Sequence, residues 1–126
     1  SKVLIEEADK QVWFGMQTML IEKKDGPVKI IADEQVAQLD AGKIKFPLLL
    51  RRWKQGNYFY PLGMKKKKKL SRFFIDKKLS LSQKENTWVL ETAKKIIWVP
   101  GMRMDERFKV TASTTTVLQL RVEPVK

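Results

Sequence analysis

Residues 51–78 read RRWKQGNYFYPLGMKKKKKLSRFFIDKK, and this stretch carries an extended pattern and a helical one on either side of a run of five lysines. Tyr58-Phe59-Tyr60 is a short aromatic segment between two turn signals, Gln55-Gly56-Asn57 and Pro61-Leu62-Gly63. Leu70, Phe73 and Phe74 recur at i, i+3 and i+4, and the aliphatic stem of Lys77 continues that face. The spacing predicts an amphipathic helix of roughly two turns, from about Lys69 to Asp76.

Outward from this stretch, extended segments dominate. Val3–Glu7, Val12–Glu22 and Val28–Ala32 are rich in β-branched and large apolar residues, with Lys24-Asp25-Gly26-Pro27 read as a turn. Asp40-Ala41-Gly42 is a second turn, and Phe46–Leu50 is a continuous apolar run with Pro47 near its edge. Trp88–Leu90, Ile96–Val99 and Thr114–Val122 read as further strands, with Pro100-Gly101 closing one of them. The expectation is one α+β domain over residues 1–126, mostly strand, with one or two short helices.

Charge is distributed very unevenly. Lys43 to Lys78 contains 13 Lys/Arg against a single acid, Asp76, so this window carries the whole formal net charge of +12 while the remainder sums to zero. A field of that strength calls for an anionic partner or extensive solvation, and a phosphate backbone is the obvious partner. The candidate phosphate-contacting side chains are Arg51, Arg52, Lys54, Lys65, Lys66, Lys67, Lys68, Lys69, Arg72, Lys77 and Lys78. Phe46, Trp53, Tyr58, Phe59, Tyr60, Phe73 and Phe74 lie in the same window. Most of these rings suit a core, which leaves Trp53, Tyr58 and Tyr60 as candidates to stack on bases or riboses. Base-edge reading falls to Arg51, Arg52 or Arg72, whose forks bond bidentately. The bland alternative for the lysine run is a solvated loop.

Composition narrows the chemistry. The chain has no cysteine and no histidine, which removes disulfides, thiolate metal sites, cysteine nucleophiles and the commonest general base. The six glycines are isolated, so no phosphate-cradling loop is formed. Arg103, Asp105, Glu106 and Arg107 form an alternating charged cluster; ion pairs that orient a turn are the favoured reading over a catalytic carboxylate pair, because adjacent residues of an extended chain point apart. No catalytic or metal-ligating residue is expected. No apolar run approaches the ~20 residues of a membrane helix, and Ser1 in place of a methionine suggests an excised fragment.

The basic stretch and a second block together carry a resemblance. Arg51, Trp53, Gly56, Phe59 and Pro61-Leu62-Gly63-Met64, then Lys68-Lys69-Leu70-Ser71, Phe73 and Ile75-Asp76-Lys77-Lys78, are similar to a pattern R-x-W-x-x-G-D-x-F-x-P-L-G-M followed by K-K-L-S-D-F-x-I-D-K-K. Ile96, Trp98-Val99, Gly101, Arg103, Asp105 and Arg107-Phe108-Lys109-Val110-Thr111 are similar to I-V-W-V-x-G-x-R-I-D-D-R-F-K-V-T. Both patterns are those of the C-terminal domain of bacterial tRNA(Ile)-lysidine synthetases, and the resemblance covers roughly residues 36–120. The chain departs from the family in three places: Asn57 and Arg72 replace aspartates, and the lysine loop lacks a glycine near Lys66.

The resemblance implies a β-sandwich of unusual topology with short flanking helices, similar to the tRNA-binding domain of the phenylalanyl-tRNA synthetase beta subunit. It implies a cytoplasmic enzyme that uses ATP and magnesium to adenylylate the wobble cytidine of tRNA(Ile), after which lysine displaces AMP. Those cofactors belong to an N-terminal catalytic domain outside this chain. This segment is then expected to need no cofactor, to be inactive alone, and to hold the tRNA(Ile) acceptor arm or body. The rest of the same polypeptide and a second copy of the chain are further candidate partners, and no membrane partner is expected. The readings left beside it are a general RNA-binding or ribosome-associated basic β domain, a self-sufficient enzyme, and a binder of anionic membrane surfaces.

Overall fold

The computed structural model describes residues 1–125. Among these residues, eleven strands form two antiparallel sheets and a small ribbon. The first sheet has five strands: β1 (Lys2–Ile5), β5 (Leu48–Arg52), β8 (Trp88–Thr92), β9 (Lys95–Val99) and β10 (Arg103–Met104), in that order. The second has four: β2 (Gln11–Phe14), β3 (Gln17–Asp25), β11 (Thr116–Pro124) and β4 (Val36–Asp40). The ribbon pairs β6 (Tyr58–Phe59) with β7 (Lys68–Lys69). Two short helices follow, α1 (Leu70–Asp76) and α2 (Leu81–Glu85).

The two sheets face one another across the main core. Ile5, Leu48, Leu50, Leu90 and Trp98 from the first sheet meet Phe14, Met19, Leu39, Leu118 and Leu120 from the second. This is the expected sandwich. A second core lies on the other face of the five-stranded sheet, where Phe59, Leu70, Phe73 and Phe74 cover Val89, Ile96 and Val99. The central strands are therefore buried on both faces, which is why β8 and β9 read as apolar runs without alternation. A bulge makes this work. Leu90 pairs with Trp98 but Glu91 pairs with Ile96, so one residue is inserted at Ile97. Ile97 and Trp98 thus both enter the main core, while Ile96 and Val99 enter the second.

Helix α1 forms where the i, i+3, i+4 stripe predicts it. It closes in a Schellman arrangement: Leu79 N–H donates to the Phe74 carbonyl at 3.0 Å, Lys78 N–H to that of Ile75 at 2.9 Å, and Lys78 takes the left-handed conformation at φ 58°. Helix α2 has a capping box between Ser80 and Gln83.

Several strand expectations are corrected. Val12–Glu22 is two strands, because the chain reverses at Gly15, whose φ is +54°. Residues 28–32 form no strand. Their polar backbone is met by one buried side chain instead: Ile31 N–H donates to Gln38 Oε1 at 3.0 Å, and Gln38 Nε2 donates to the Lys29 carbonyl at 2.9 Å. The strand in that region is β4, which the sequence hides because Gln38 and Asp40 are polar yet buried. Gln38 bonds Gln119, and Asp40 accepts from Gly42 and Thr114. The Phe46–Leu50 run is displaced by two residues, since Pro47 has no N–H to give the ladder and pairing starts at Leu48. Lys24 and Asp25, read as part of a turn, end β3, and the chain turns at Gly26.

Phe74 is fully buried and meets Trp53 edge-on at 4.9 Å between centroids. Replacing Phe74 by Ala is expected to destabilise the chain by about 3–5 kcal/mol, as read from urea denaturation midpoints; a loss below about 1 kcal/mol is the result that contradicts the second core.

Candidate nucleic-acid interface

The ribbon and α1 lie over the outer face of the five-stranded sheet, and this placement decides which cations are available. Leu70, Phe73 and Phe74 of α1 face inward, while Arg72 and Ile75 on the helix and Lys78 just past its end are exposed. Lys65, Lys66 and Lys67 occupy the exposed loop between Met64 and β7. Lys69 is exposed at the N-cap of α1, and Lys54 is exposed in the turn after β5. Arg52 is exposed too, with its guanidinium 5.0 Å from the Trp88 ring and Nη1 donating to the Glu85 carbonyl at 2.8 Å. Among the described residues, Arg52, Lys54, Lys65, Lys66, Lys67, Lys69 and Lys78 have no acidic partner within 4.0 Å.

The other four candidates are engaged within the chain. Lys68 pairs with Asp76, and Arg72 reaches the same carboxylate at 3.7 Å while staying 70% exposed. Lys68 beside Asp76 holds its carboxyl below the usual carboxylate range, with Arg72 adding to the effect. Lys77 pairs with Glu34 at 2.7 Å. Arg51 is the most committed. Its Nε and Nη2 donate to Glu91 Oε2 at 3.3 and 2.9 Å, and Nη1 donates to the Arg52 carbonyl and to Asn57 Oδ1. Its expected capacity for a bidentate base contact is thus largely spent on tying β5 to β8 and to the turn at residue 57. Asn57 also accepts from Lys54 N–H at 2.7 Å, so a neutral carbonyl oxygen does the acceptor work at a position where the family pattern has aspartate.

The aromatic candidates also separate. Trp53 packs on Phe74 and donates its indole N–H to the Lys84 carbonyl at 2.7 Å, which commits it to the fold. Tyr58 is exposed, with Lys67 Nζ 4.8 Å from its ring centroid. Tyr60 is partly covered, with Arg107 4.4 Å from its ring. Tyr58 and Tyr60 meet edge-on at 6.4 Å, so Lys67, Tyr58, Tyr60 and Arg107 form one continuous row of cations and rings.

Arg107 is held by Asp105, the one fully buried acid among the described residues. Asp105 Oδ1 accepts from Arg107 N and Nε at 2.8 and 3.0 Å, and Oδ2 accepts from Tyr60 N and Arg107 Nη2, both at 2.9 Å. The carboxylate raises the affinity of the guanidinium for its proton. Glu106 pairs with Lys109 and accepts from Gly63 N–H at 2.8 Å. Lys109, and secondarily that amide, hold its carboxyl below the usual range. The cluster at residues 103–107 is therefore a set of ion pairs that fixes a turn against the segment after β6, as the favoured reading had it. Lys94 and Lys95, at the tip and start of the β8–β9 hairpin, lie near this row and escaped the sequence reading because they sit outside the basic window. A separate and mainly apolar groove of about 500 Å3 is lined by Ile30, Ile31, Val36, Trp98, Met102 and Met104. No cluster of three or more His, Cys, Asp or Glu side chains suited to a metal occurs among the described residues, and no helix there is long and apolar enough to cross a membrane.

Comparison with known proteins agrees with this architecture. Residues 48–122 match the family model described as the TilS substrate C-terminal domain. The tRNA(Ile)-lysidine synthase of Parabacteroides distasonis is 49% identical over 86 residues, which cover 68% of this chain and 20% of that protein. The enzyme of the same name from Bacteroides thetaiotaomicron is 37% identical over 94 residues, 75% of this chain and 22% of that protein. The matched region thus spans about a fifth of the length of the curated relatives. A crystal structure of a TilS C-terminal domain superposes with a TM-score of 0.84 at 18% identity, covering 100% of this chain and 99% of the other. An N-terminal fragment of the phenylalanyl-tRNA synthetase beta-subunit from Pyrococcus horikoshii gives 0.61 at 21% identity, covering 72% and 28%. Both establish the fold.

Two outcomes follow from the carboxylates. Asp105→Ala leaves Arg107 and the Tyr60 amide without their buried acceptor and is expected to cost about 3 kcal/mol, measured by denaturation. Asp76 and Glu106 titrate lower in the fold than in the unfolded chain. Their contribution is complete above the ordinary carboxylate pKa of about 4 and is lost as pH falls through the depressed folded values. Glu106→Gln should therefore flatten the acid limb of the stability–pH curve below about pH 5; parallel curves for variant and wild type contradict this.

Proposed function

This chain belongs to the family of TilS substrate C-terminal domains, and on that premise we propose that it is the tRNA-holding, non-catalytic part of a tRNA(Ile)-lysidine synthetase. In this reading the wobble cytidine is modified elsewhere in the polypeptide, and this domain binds the acceptor arm or body of the same tRNA. One observation carries it: the apolar residues Phe59, Leu70, Phe73 and Phe74 are consumed by the second core, while Lys65, Lys66 and Lys67 stay exposed and without an acidic partner among the described residues. Ammonium groups on flexible stems suit the phosphates and 2′-hydroxyls of a duplex RNA, which is recognised largely by shape. The reading also accounts for what the chain lacks. Its isolated glycines offer no cradle for ATP, and Glu91, Asp105 and Glu106 are each held by a cation, so in this reading ATP, magnesium and the chemistry belong to the catalytic part.

Contact with the anticodon alone does not identify a tRNA, because the reacting base is shared with others. A distant second contact supplies affinity and discrimination together. Arg72 is the guanidinium best placed for discrimination, since it is 70% exposed and only loosely tied to Asp76. The unpaired lysines supply the sequence-independent part.

The test is tRNA binding by this chain at several salt concentrations. If about half of the eleven candidate cations meet phosphates, log K falls with log salt at a slope of roughly −4 to −5. The triple variant Lys65→Ser, Lys66→Ser, Lys67→Ser should flatten that slope by about 2 and weaken binding to all tRNAs alike. An unchanged slope and affinity overturn the assignment of the lysine loop, and equal affinity for random duplex RNA favours the general RNA-binding reading.

A further inference from the structure

Outside the basic window, Lys94, Lys95 and Arg107 line a small polar cavity of about 100 Å3 together with Arg51, Gly56 and Tyr58. Its charges are not equivalent. Arg51 is offset by Glu91 and Arg107 by Asp105, so the uncompensated charge comes from Lys94 and Lys95, neither of which has an acid within 4.0 Å among the described residues.

Two parts of the cavity wall have a defined geometry, the hairpin turn and the Arg107 guanidinium. Ala93 and Lys94 both have positive φ, 46° and 68°, in the two-residue turn between Thr92 and Lys95. This is the hairpin geometry that Asn-Gly commonly fills. Arg107 is clamped along one edge by Asp105 and covered on one face by Tyr60, which leaves Nη1 and one N–H of Nη2 free of internal acceptors. A rigid guanidinium fork and two lysines lining a space of a few water volumes suit one tetrahedral anion, and the space is too small for a nucleoside.

We propose that this cavity is a single-phosphate subsite that fixes the register of the RNA backbone, separate from the adaptable lysine loop. The proposal rests on the tRNA-binding reading and adds to it a defined seat. Lys67 over Tyr58 links the two, so a backbone lying on the loop is led to the cavity along the row of rings. The loop supplies attraction without register, and the cavity supplies register through the Arg107 fork, which Asp105 and Tyr60 hold in place, with Lys94 and Lys95 adding charge.

The test uses this chain with Lys94→Asn and Lys95→Gln replaced together. Asn tolerates the left-handed conformation, so the turn is kept, and an unchanged thermal midpoint verifies this. With inorganic phosphate, amide resonances of Gly56, Asn57, Tyr58 and residues 94–95 are expected to shift saturably in the wild type and not in the variant. With tRNA, the variant should show a salt slope shallower by about 1, and this loss should add to that of the Lys65–Lys67 variant. Wild-type tRNA binding matched in slope and affinity by the double variant overturns the subsite and leaves the tRNA-holding role standing. Saturable phosphate shifts with an unchanged tRNA slope mark the cavity as a seat for free phosphate and overturn its assignment to RNA. No tRNA binding by the wild type removes the tRNA-holding role and the subsite with it.

Discussion

The structure depends on burying both faces of β8 and β9. One face closes the sandwich; the other has no sheet to meet it and must be covered by something else. Phe59, Leu70, Phe73 and Phe74 do this, and they belong to the segment that also carries the lysine run. Burial of such side chains is worth about 1.5–3 kcal/mol each. Repulsion between neighbouring lysines at the surface is about 1 kcal/mol per pair at contact in water and is screened further by salt. Hydrophobic burial therefore wins, and the lysines are held together against their own repulsion on a platform they did not choose.

The same constraint orders the polar groups. A ribbon laid on a sheet leaves peptide N–H groups at its ends, and acids from the neighbouring turn satisfy them. Asp105 receives the Tyr60 amide and Glu106 receives that of Gly63. Each acid also takes a cation, so the 103–107 cluster is spent on joining two chain segments. The surviving net charge is pushed outward, to the loop at 65–67, to α1 and to the β8–β9 turn. Packing thus separates cations that support the fold, such as Arg51 and Lys68, from cations that remain available, such as Lys66 and Lys78.

The departures from the family pattern fit this division. Asn57 keeps the acceptor oxygen that Arg51 and Lys54 need, which is a geometric demand that charge does not affect. Arg72 sits on the exposed side of α1, where no packing depends on its identity, and there it adds a cation to the surface.

What the amino-acid order determined alone was local or additive. The spacing of Leu70, Phe73 and Phe74 specified α1 because a helix reads i, i+3, i+4 directly, and the concentration of charge in residues 43–78 needed no geometry at all. The paired motif blocks carried the family. What tertiary structure decided was non-local. Strand β4 was hidden because Gln38 and Asp40 are polar, and partners as far as 74 and 81 residues away are among those that make them suitable for a core. Residues 28–32 looked like a strand because β-branched residues favour one, yet the Gln38 amide took the backbone bonds that a neighbouring strand would have supplied. The availability of each cation was likewise illegible: Arg51 and Arg52 are adjacent in sequence, but alternation along β5 sends one to Glu91 and the other to solvent. Lys94 and Lys95 join the candidate surface only because a hairpin turn brings them beside Arg107, a juxtaposition that depends on strand pairing and not on composition.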